Sequence, residues 1–221
     1  MEAARAAAGG LTSVSLVRDA YDRRAAEYIE LFGLMSSADG RDLRVVSSWA
    51  DGLSGPVVDA GCGPGQWTDF LRRRGLDVRG VDQVPSFVSF ARATYLEVPF
   101  SLGSLEQLED APGSVGGVLA WYSLIHYAPD AVQRPLREFA RVLRPGGGLL
   151  VGLFTWGEVG EFSHAVAPAW RWPLEAFGRE LVSAGFSVVA TASRGMLARG
   201  RWGWSWRSGS EGPVDSTGQP L

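Results

Sequence analysis

The segment VVDAGCGPG, residues 57–65, is the part of the chain that decides the fold. Its apolar start predicts a buried strand, and the glycines at every second position from Gly61 to Gly65 predict a sharp turn into a helix over about residues 66–74. Glycine also lets a ligand contact the main chain with no Cβ between them. A ligand site at the carboxyl end of this strand is therefore expected, although a tight strand-to-helix turn can use glycine for steric reasons alone.

A second feature is the predicted strand VRGVD, residues 78–82, which ends in an acid seventeen residues after Gly65. A carboxylate in this position can accept hydrogen bonds from both hydroxyls of a ribose, so the loop together with Asp82 favours an adenosine-type cofactor. The alternative is an ordinary solvated carboxylate at a strand end. A dinucleotide fingerprint would need a third glycine at position 66, where the chain has Gln66, and this argues against a nicotinamide cofactor.

Strands and helices alternate around these two segments. The predicted strands cover residues 57–59, 78–82, 99–102, 115–121, 148–154 and 186–191, and several are apolar throughout, as in a parallel sheet buried on both faces. Apolar stripes predict helices over residues 131–143 and 173–184. In the last predicted strand, RWGWSWR at 201–207, Trp202, Trp204 and Trp206 share one face. We predict an α/β, Rossmann-like fold: a doubly wound, mostly parallel seven-stranded sheet with helices on both faces and the last strand antiparallel.

Composition limits the classes of function. The 221 residues, 46% of them hydrophobic, predict one domain over residues 15–207, with mobile ends at 1–14 and 208–221. A net charge of −3 argues against nucleic acid as a partner, and the absence of lysine among the 21 basic residues excludes a Schiff base and a P-loop lysine. A single cysteine, Cys62, fits a reducing cytoplasm, and we expect neither a membrane span nor a metal site.

The ordered motifs resemble those of class I S-adenosylmethionine-dependent methyltransferases, in particular the small-molecule, type 11-like members. The D-x-G-x-G-x-G loop from Asp59, followed by Asp82, is similar to motif I and the second-strand acid of that superfamily. Residues 118–130 (VLAWYSLIHYAPD) and 136–150 (LREFARVLRPGGGLL) are similar to its fourth strand and to the helix and turn before its fifth. The resemblance covers about residues 15–207. It implies S-adenosylmethionine as cofactor, S-adenosylhomocysteine as product and a small-molecule acceptor.

The resemblance also implies roles for individual residues. Asp82 would bind the ribose hydroxyls, Gln83 would flank the adenine, and Asp59 would orient the loop and the ammonium end of the cofactor. Ser104 stands where many members have an aspartate for the adenine amino group, which leaves the backbone amide of Leu105 for that contact. The complete expected cofactor set is Tyr21, Asp59, Gly61, Cys62, Gly63, Gly65, Asp82, Gln83, Ser104, Leu105, Trp121 and Tyr122. Tyr21 and Tyr28 would belong to an N-terminal cap helix, or else to ordinary packing.

Fewer sequence features indicate which residues bind the acceptor. Because methyl transfer displaces a leaving group that is built into the cofactor, the protein has mainly to align and desolvate the reactants. His126 follows the fourth strand and is the candidate catalytic base, with a structural hydrogen bond as the alternative, whereas His164 is interpreted as a surface residue. The expected acceptor-binding residues are Tyr122, His126, Trp156, Trp170 and Trp172; the tryptophans could equally cover a sheet edge.

The sequence thus predicts a bacterial, cytoplasmic enzyme that methylates a small apolar or aromatic acceptor, in specialised metabolism. Two alternatives stay open: a member of the fold that binds S-adenosylmethionine but catalyses a cyclisation or rearrangement, and a non-catalytic module that binds it. The acceptor, the atom that is methylated and the oligomeric state do not follow from the sequence.

Overall fold

The computed structural model describes residues 14–192 and 195–200. Before the first strand the chain forms helix α1 over residues 14–23, then α2 (Ala25–Phe32), a single 3-10 turn and α3 (Gly40–Asp51). The later helices are α4 (Gln66–Arg73), α5 (Pro85–Thr94), α6 (Gln133–Val142) and α7 (Leu174–Ser183). None of the helices in these ranges is both long and apolar enough to cross a membrane.

The strands form two sheets. In chain order they are β1 (Val57–Ala60), β2 (Val78–Asp82), β3 (Phe100–Leu102), β4 (Val115–Trp121), β5 (Leu143–Gly152), β6 (Phe154–Thr155), β7 (Gly160–Phe162), β8 (Ala169–Trp172), β9 (Phe186–Ala192) and β10 (Gly195–Gly200). The main sheet has the order β3-β2-β1-β4-β5-β10-β9, in which the first five strands are parallel and β10 is antiparallel to both neighbours. The predicted α/β class with its parallel sheet is confirmed.

The sheet is buried on both faces, which explains the apolar strands. Along β4, Val118 belongs to the core beneath α6 and α7, whereas its neighbour Leu119 belongs to the core beneath α3 and α4. Leu149 and Leu150 of β5 divide in the same way. Because successive strand residues point to opposite faces, a sheet covered by helices on both sides needs apolar residues at every position.

The structure shows features that the sequence did not predict in three places, and two of the predictions lie outside the described residues. The antiparallel strand β10 comes from residues 195–200, while the predicted strand at 201–207 lies outside the described residues, as do the predicted mobile ends apart from residue 14. Helix α6 ends at Val142 and β5 begins at the next residue, so the Pro-Gly-Gly-Gly run lies within that strand. Finally, the segment that follows β5 contains a small sheet of order β6-β8-β7.

Candidate active site

The glycine loop between β1 and α4 has an unusual backbone. Gly61, Gly63 and Gly65 all have positive φ, at 81°, 53° and 93°, a region that side chains with a Cβ rarely adopt. A Cβ on Gly61 would lie 2.3 Å from the Cβ of Ser123, and one on Gly65 would lie 2.8 Å from the ring of Phe100. A Cβ on Gly63 would meet no atom within 4 Å. Packing therefore requires glycine at 61 and 65, while Gly63 leaves the main chain open.

Asp82, at the end of β2, holds this loop. Its Oδ2 accepts a hydrogen bond from the backbone N–H of Gly63 at 2.8 Å, and its Oδ1 accepts one from Val84 at the same distance. Burial raises the pKa of the carboxyl, and the backbone N–H groups oppose that shift. Since each carboxylate oxygen can accept a second hydrogen bond, the same group can bind a ligand while it fixes the loop.

Asp59 lies one strand away, in β1, and is also buried. Its Oδ2 accepts a hydrogen bond from the hydroxyl of Thr68 in α4 at 2.7 Å. Burial raises the pKa of Asp59 to about 7, against the effect of the Thr68 bond. The charge of Asp59 near neutral pH therefore depends on what lies beside it.

A cavity of about 440 Å³ lies over the carboxyl ends of β1, β2 and β4. We call two groups of its lining residues the glycine-loop half (Asp59, Gly61, Cys62, Gly63, Asp82 and Gln83) and the aromatic half (Tyr21, Tyr122, His126, Phe154 and His164). Ring centroids within the aromatic half are 5.2–6.0 Å apart, between Tyr122 and Phe154, Phe154 and His164, His164 and His126, and His126 and Tyr21. In an open α/β sheet a ligand crevice is expected at this place, where the strand order reverses.

His126, the predicted base, lines the cavity with both ring nitrogens engaged. Its Nδ1 lies 2.8 Å from the carbonyl oxygen of Pro168, which only accepts, so Nδ1 carries the proton. Its Nε2, 2.9 Å from the Tyr21 hydroxyl, then accepts the hydrogen bond that Tyr21 donates. Burial lowers the pKa of His126 to about 4, which keeps the ring neutral, and burial raises the pKa of Tyr21. A catalytic role for His126 stays a prediction.

Two residues of the aromatic half were missed by the sequence interpretation. His164 was expected at the surface, but the structure places it half-buried in the cavity lining, 5.4 Å from the ring of His126. Phe154 packs between Tyr122 and His164. Nothing local in the sequence marks either residue, because only the turns of the small sheet bring them over the end of β4.

The three tryptophans expected in an acceptor wall do not line the cavity. Trp172 is 4% exposed and packs against Phe177, and Trp170 packs against the same core. Trp156 is 60% exposed, with the guanidinium of Arg171 4.8 Å from its ring centroid. Trp170 and Trp172 therefore act as packing residues in this structure, while the alternative that the tryptophans cover a sheet edge stays a prediction.

Among the other expected site residues, Ser104 and Gly65 do not line the cavity and the rest do. The hydroxyl of Ser104 accepts a hydrogen bond from the N–H of Glu106 within its own turn. Gly65 packs against Phe100. The expected residues that do line the cavity are Tyr21, Asp59, Gly61, Cys62, Gly63, Asp82, Gln83, Leu105, Trp121, Tyr122 and His126. Within the described ranges, no group of three or more potential metal-ligating side chains is arranged to hold a metal ion.

A parallel sheet with a glycine loop, an acid on the adjacent strand and a cavity over both defines the Rossmann-like class of nucleotide-binding folds. Comparison with known proteins shows which members of this class the chain is similar to. Residues 57–147 match the family described as "Methyltransferase domain". Over 96 residues the chain is 41% identical to an uncharacterized methyltransferase of Mycobacterium tuberculosis, a match that covers 42% of this chain and 37% of that relative. The matched region therefore spans well under half of that relative's length.

Solved structures agree with this assignment of the fold. The 1,6-didemethyltoxoflavin-N1-methyltransferase of Burkholderia thailandensis, crystallised with S-adenosylhomocysteine, superposes with a TM-score of 0.65 at 21% identity, over 85% of this chain and 88% of that one. The magnesium protoporphyrin IX methyltransferase of Synechocystis, crystallised with S-adenosylmethionine, gives the same TM-score and identity over 85% and 97% of the two chains. At 21% identity these two structures show a shared fold, and the match over residues 57–147 makes that part of the chain similar to methyltransferase domains.

Proposed function

We propose that the protein transfers a methyl group from S-adenosylmethionine to a small acceptor of apolar or aromatic character. The observation that carries this proposal is the hydrogen bond from Gly63 to Asp82, because it places an open stretch of main chain beside a carboxylate at the floor of the cavity. The names of the relatives and the cofactors in the similar structures support it. A cytoplasmic location belongs to the same proposal and is supported by the single cysteine of the chain.

The residues of the glycine-loop half fit this cofactor. Gly63 would pass beneath it without a side chain, Asp82 would accept hydrogen bonds from the ribose, and Gln83 and Leu105 would flank the adenine. Asp59 would face the ammonium end, where a positive charge would favour its ionised form. A volume of about 440 Å³ lies within the range of about 300–1,000 Å³ usual for small-ligand sites.

The remaining task of the chain is to align the acceptor and exclude water. S-adenosylmethionine, when bound, supplies a methyl group on a sulfonium whose leaving group is already activated. Helices α1 and α2 cover the aromatic half: Tyr21 is bonded to His126, and the guanidinium of Arg24 donates to the carbonyl of Ala165. The first contact joins the N-terminal cap to the segment after β4, and the second joins it to the segment after β5. Both sides of the aromatic half would thereby be fixed and water kept from the reacting atoms.

Calorimetric titration tests the cofactor assignment. We expect saturable binding of S-adenosylmethionine and S-adenosylhomocysteine and none of NAD. Asp82→Ala is expected to weaken binding by about 1.5–3 kcal/mol, the range for hydrogen bonds to a charged group, which is about 10- to 150-fold in Kd. Asp69→Ala is the matched control, because Asp69 pairs with Arg73 on the surface of α4, outside the cavity lining.

Two further measurements complete the test. Asp82→Asn keeps the shape of the side chain and should fold even if the alanine variant does not, yet it should still bind the cofactor more weakly. Incubation with methyl-labelled S-adenosylmethionine and a small-molecule extract of the source cells should give a labelled small product. Binding of NAD, or full cofactor affinity in both Asp82 variants, would contradict the proposal.

A further inference from the structure

The chain contains few groups that could take a proton from an acceptor near neutral pH. It has two histidines, one cysteine, no lysine and five tyrosines, and all of these residues lie in the described part of the chain. Cys62 is buried, and burial raises the pKa of its thiol well above the usual value. Burial also raises the pKa of Tyr21, Tyr28 and Tyr127, so that these hydroxyls stay protonated. Burial raises the pKa of Tyr95 as well, and a tyrosine such as Tyr122 ordinarily carries its proton near neutral pH, since the usual pKa is near 10. The histidines and the carboxylates are the groups left to consider.

Neither histidine is available as a base. The two ring nitrogens of His126 are occupied by Pro168 and Tyr21. Nδ1 of His164 faces the backbone N–H of Val166 at 3.4 Å, so a neutral ring carries its proton on Nε2 and offers a donor rather than an acceptor. Burial and the charge of Arg24 both lower the pKa of His164, which keeps that ring neutral.

The carboxylates that line the cavity are not suited to act as the base in place of the histidines. Asp59 and Asp82 are bonded to Thr68 and to the glycine loop, on the cofactor side, and Glu106 faces Arg134 at 3.9 Å. The other acids among the described lining residues lie at the start of α3: Asp39 caps the helix, with its Oδ1 accepting a hydrogen bond from the N–H of Arg41 at 2.7 Å, and Asp42 lies in the first turn. Even Asp59, whose pKa burial raises to about 7, is a much weaker base than a phenolate or an alkylamine, whose conjugate acids have pKa values near 10.

The aromatic half thus offers ring surfaces and hydrogen-bond donors, among them Nε2–H of His164, but no base. Given the proposed function, we propose that the acceptor is a nitrogen heteroaromatic compound that is methylated on a ring nitrogen whose lone pair is free at neutral pH. That lone pair forms the new bond to the methyl carbon, the carbon–sulfur bond breaks, and its electron pair stays on sulfur. No proton leaves the acceptor in this step, so none has to be received by the protein.

The rest of the lining agrees with such an acceptor. Rings of Tyr122, Phe154 and His164 can pack against a flat heterocycle, and Nε2–H of His164 can donate to a second heteroatom of it. An acceptor with a carboxylate would need a cation to pair with. Arg134, the arginine among the described lining residues, faces Glu106 instead. His164 is therefore a positioning residue that selects the acceptor.

Identification of the labelled product is the first test. Methylation on an aromatic ring nitrogen is expected. An O-methyl, S-methyl, alkylamine or ester product would remove this inference and leave the proposed function standing, whereas the absence of any labelled product would remove the proposed function as well. With the identified acceptor, His164→Phe should raise KM about 3- to 10-fold, the loss of one hydrogen bond, with kcat changed less than KM.

The second test does not depend on turnover. The ring signals of the two histidines are followed by NMR across pH, with and without S-adenosylhomocysteine, and are assigned by His126→Asn and His164→Asn. Both midpoints are expected below 6.5, the ordinary value for histidine. A titration midpoint at or above 6.5 for either histidine ring, with S-adenosylhomocysteine bound, would overturn the inference. A ring with such a pKa could take a proton from the acceptor near neutral pH.

Discussion

The two halves of the cavity are built in different ways. In the glycine-loop half, Asp59 and Asp82 stand 23 positions apart, and backbone N–H groups and buried carboxylates make the contacts. In the aromatic half, the Tyr21–His126 bond joins residues 105 positions apart, and the contacts are between side chains of the cap, the end of β4 and the segment after β5. The first half depends on backbone geometry that a short motif specifies. The second depends on how distant segments pack.

The largest expected effect tests the glycine-loop half. Gly61→Ala combines an unfavourable φ with a Cβ 2.3 Å from that of Ser123, so we expect a loss of at least about 3 kcal/mol in the free energy of unfolding. For a chain of this size that lowers Tm by roughly 6–12 °C. Thermal denaturation followed by circular dichroism measures it.

Gly63→Ala is the matched control for this prediction. Its Cβ meets nothing within 4 Å, so only the φ penalty of about 1–2 kcal/mol remains, but the new methyl group points into open space at the cavity. This variant should lose more S-adenosylhomocysteine affinity than stability. Equal destabilisation by the two variants would show that the loop is not packed as described.

The contrast between the halves also explains what the sequence could predict. The strand, the three glycines and the acid that ends β2 are short-range signals with a direct backbone meaning, and they located the glycine-loop half and the parallel sheet. The tryptophans of residues 155–172 show that the segment is apolar but not which side of it faces the cavity. That choice is made by the pairing of β8 between β6 and β7, which buries Trp172 in the core.

The antiparallel strand is a second example. Residues 195–200, GMLARG, contain neither β-branched nor aromatic residues, whereas RWGWSWR alternates tryptophans at strand spacing. Strand propensity therefore favoured the later segment. In the structure β10 pairs with β5 and β9 on either side, and these two ladders give residues 195–200 a tertiary context that outweighs their propensity.

A smaller effect concerns the charge within the glycine-loop half. The pKa of Asp59 is about 7 in the folded protein against 3.8 for the unfolded group, so between these pH values the folded state binds more protons than the unfolded state. Stability should then be greatest below about pH 4 for this group and should fall by a few kcal/mol as the pH rises through 7. Asp59→Asn should flatten the fall of Tm between pH 5 and 8. An equally steep fall in the variant would assign the pH dependence to other groups.

The smallest expected effect separates the aromatic half from the surface beside it. Trp156 is 60% exposed and contacts the guanidinium of Arg171, a pair worth about 0.5–1 kcal/mol at an exposed site. Trp156→Ala should therefore change stability by less than about 1 kcal/mol and the acceptor KM by less than about twofold, since the side chain lies outside the cavity lining. Phe154→Ala, two residues earlier, removes a ring from the lining and should raise the acceptor KM by about tenfold or more, the roughly 1.4 kcal/mol expected from part of one aromatic contact. Steady-state kinetics with the identified acceptor compares the two variants directly. If Trp156→Ala impairs the acceptor and Phe154→Ala does not, the acceptor lies on the outer side of the small sheet and the aromatic half is packing.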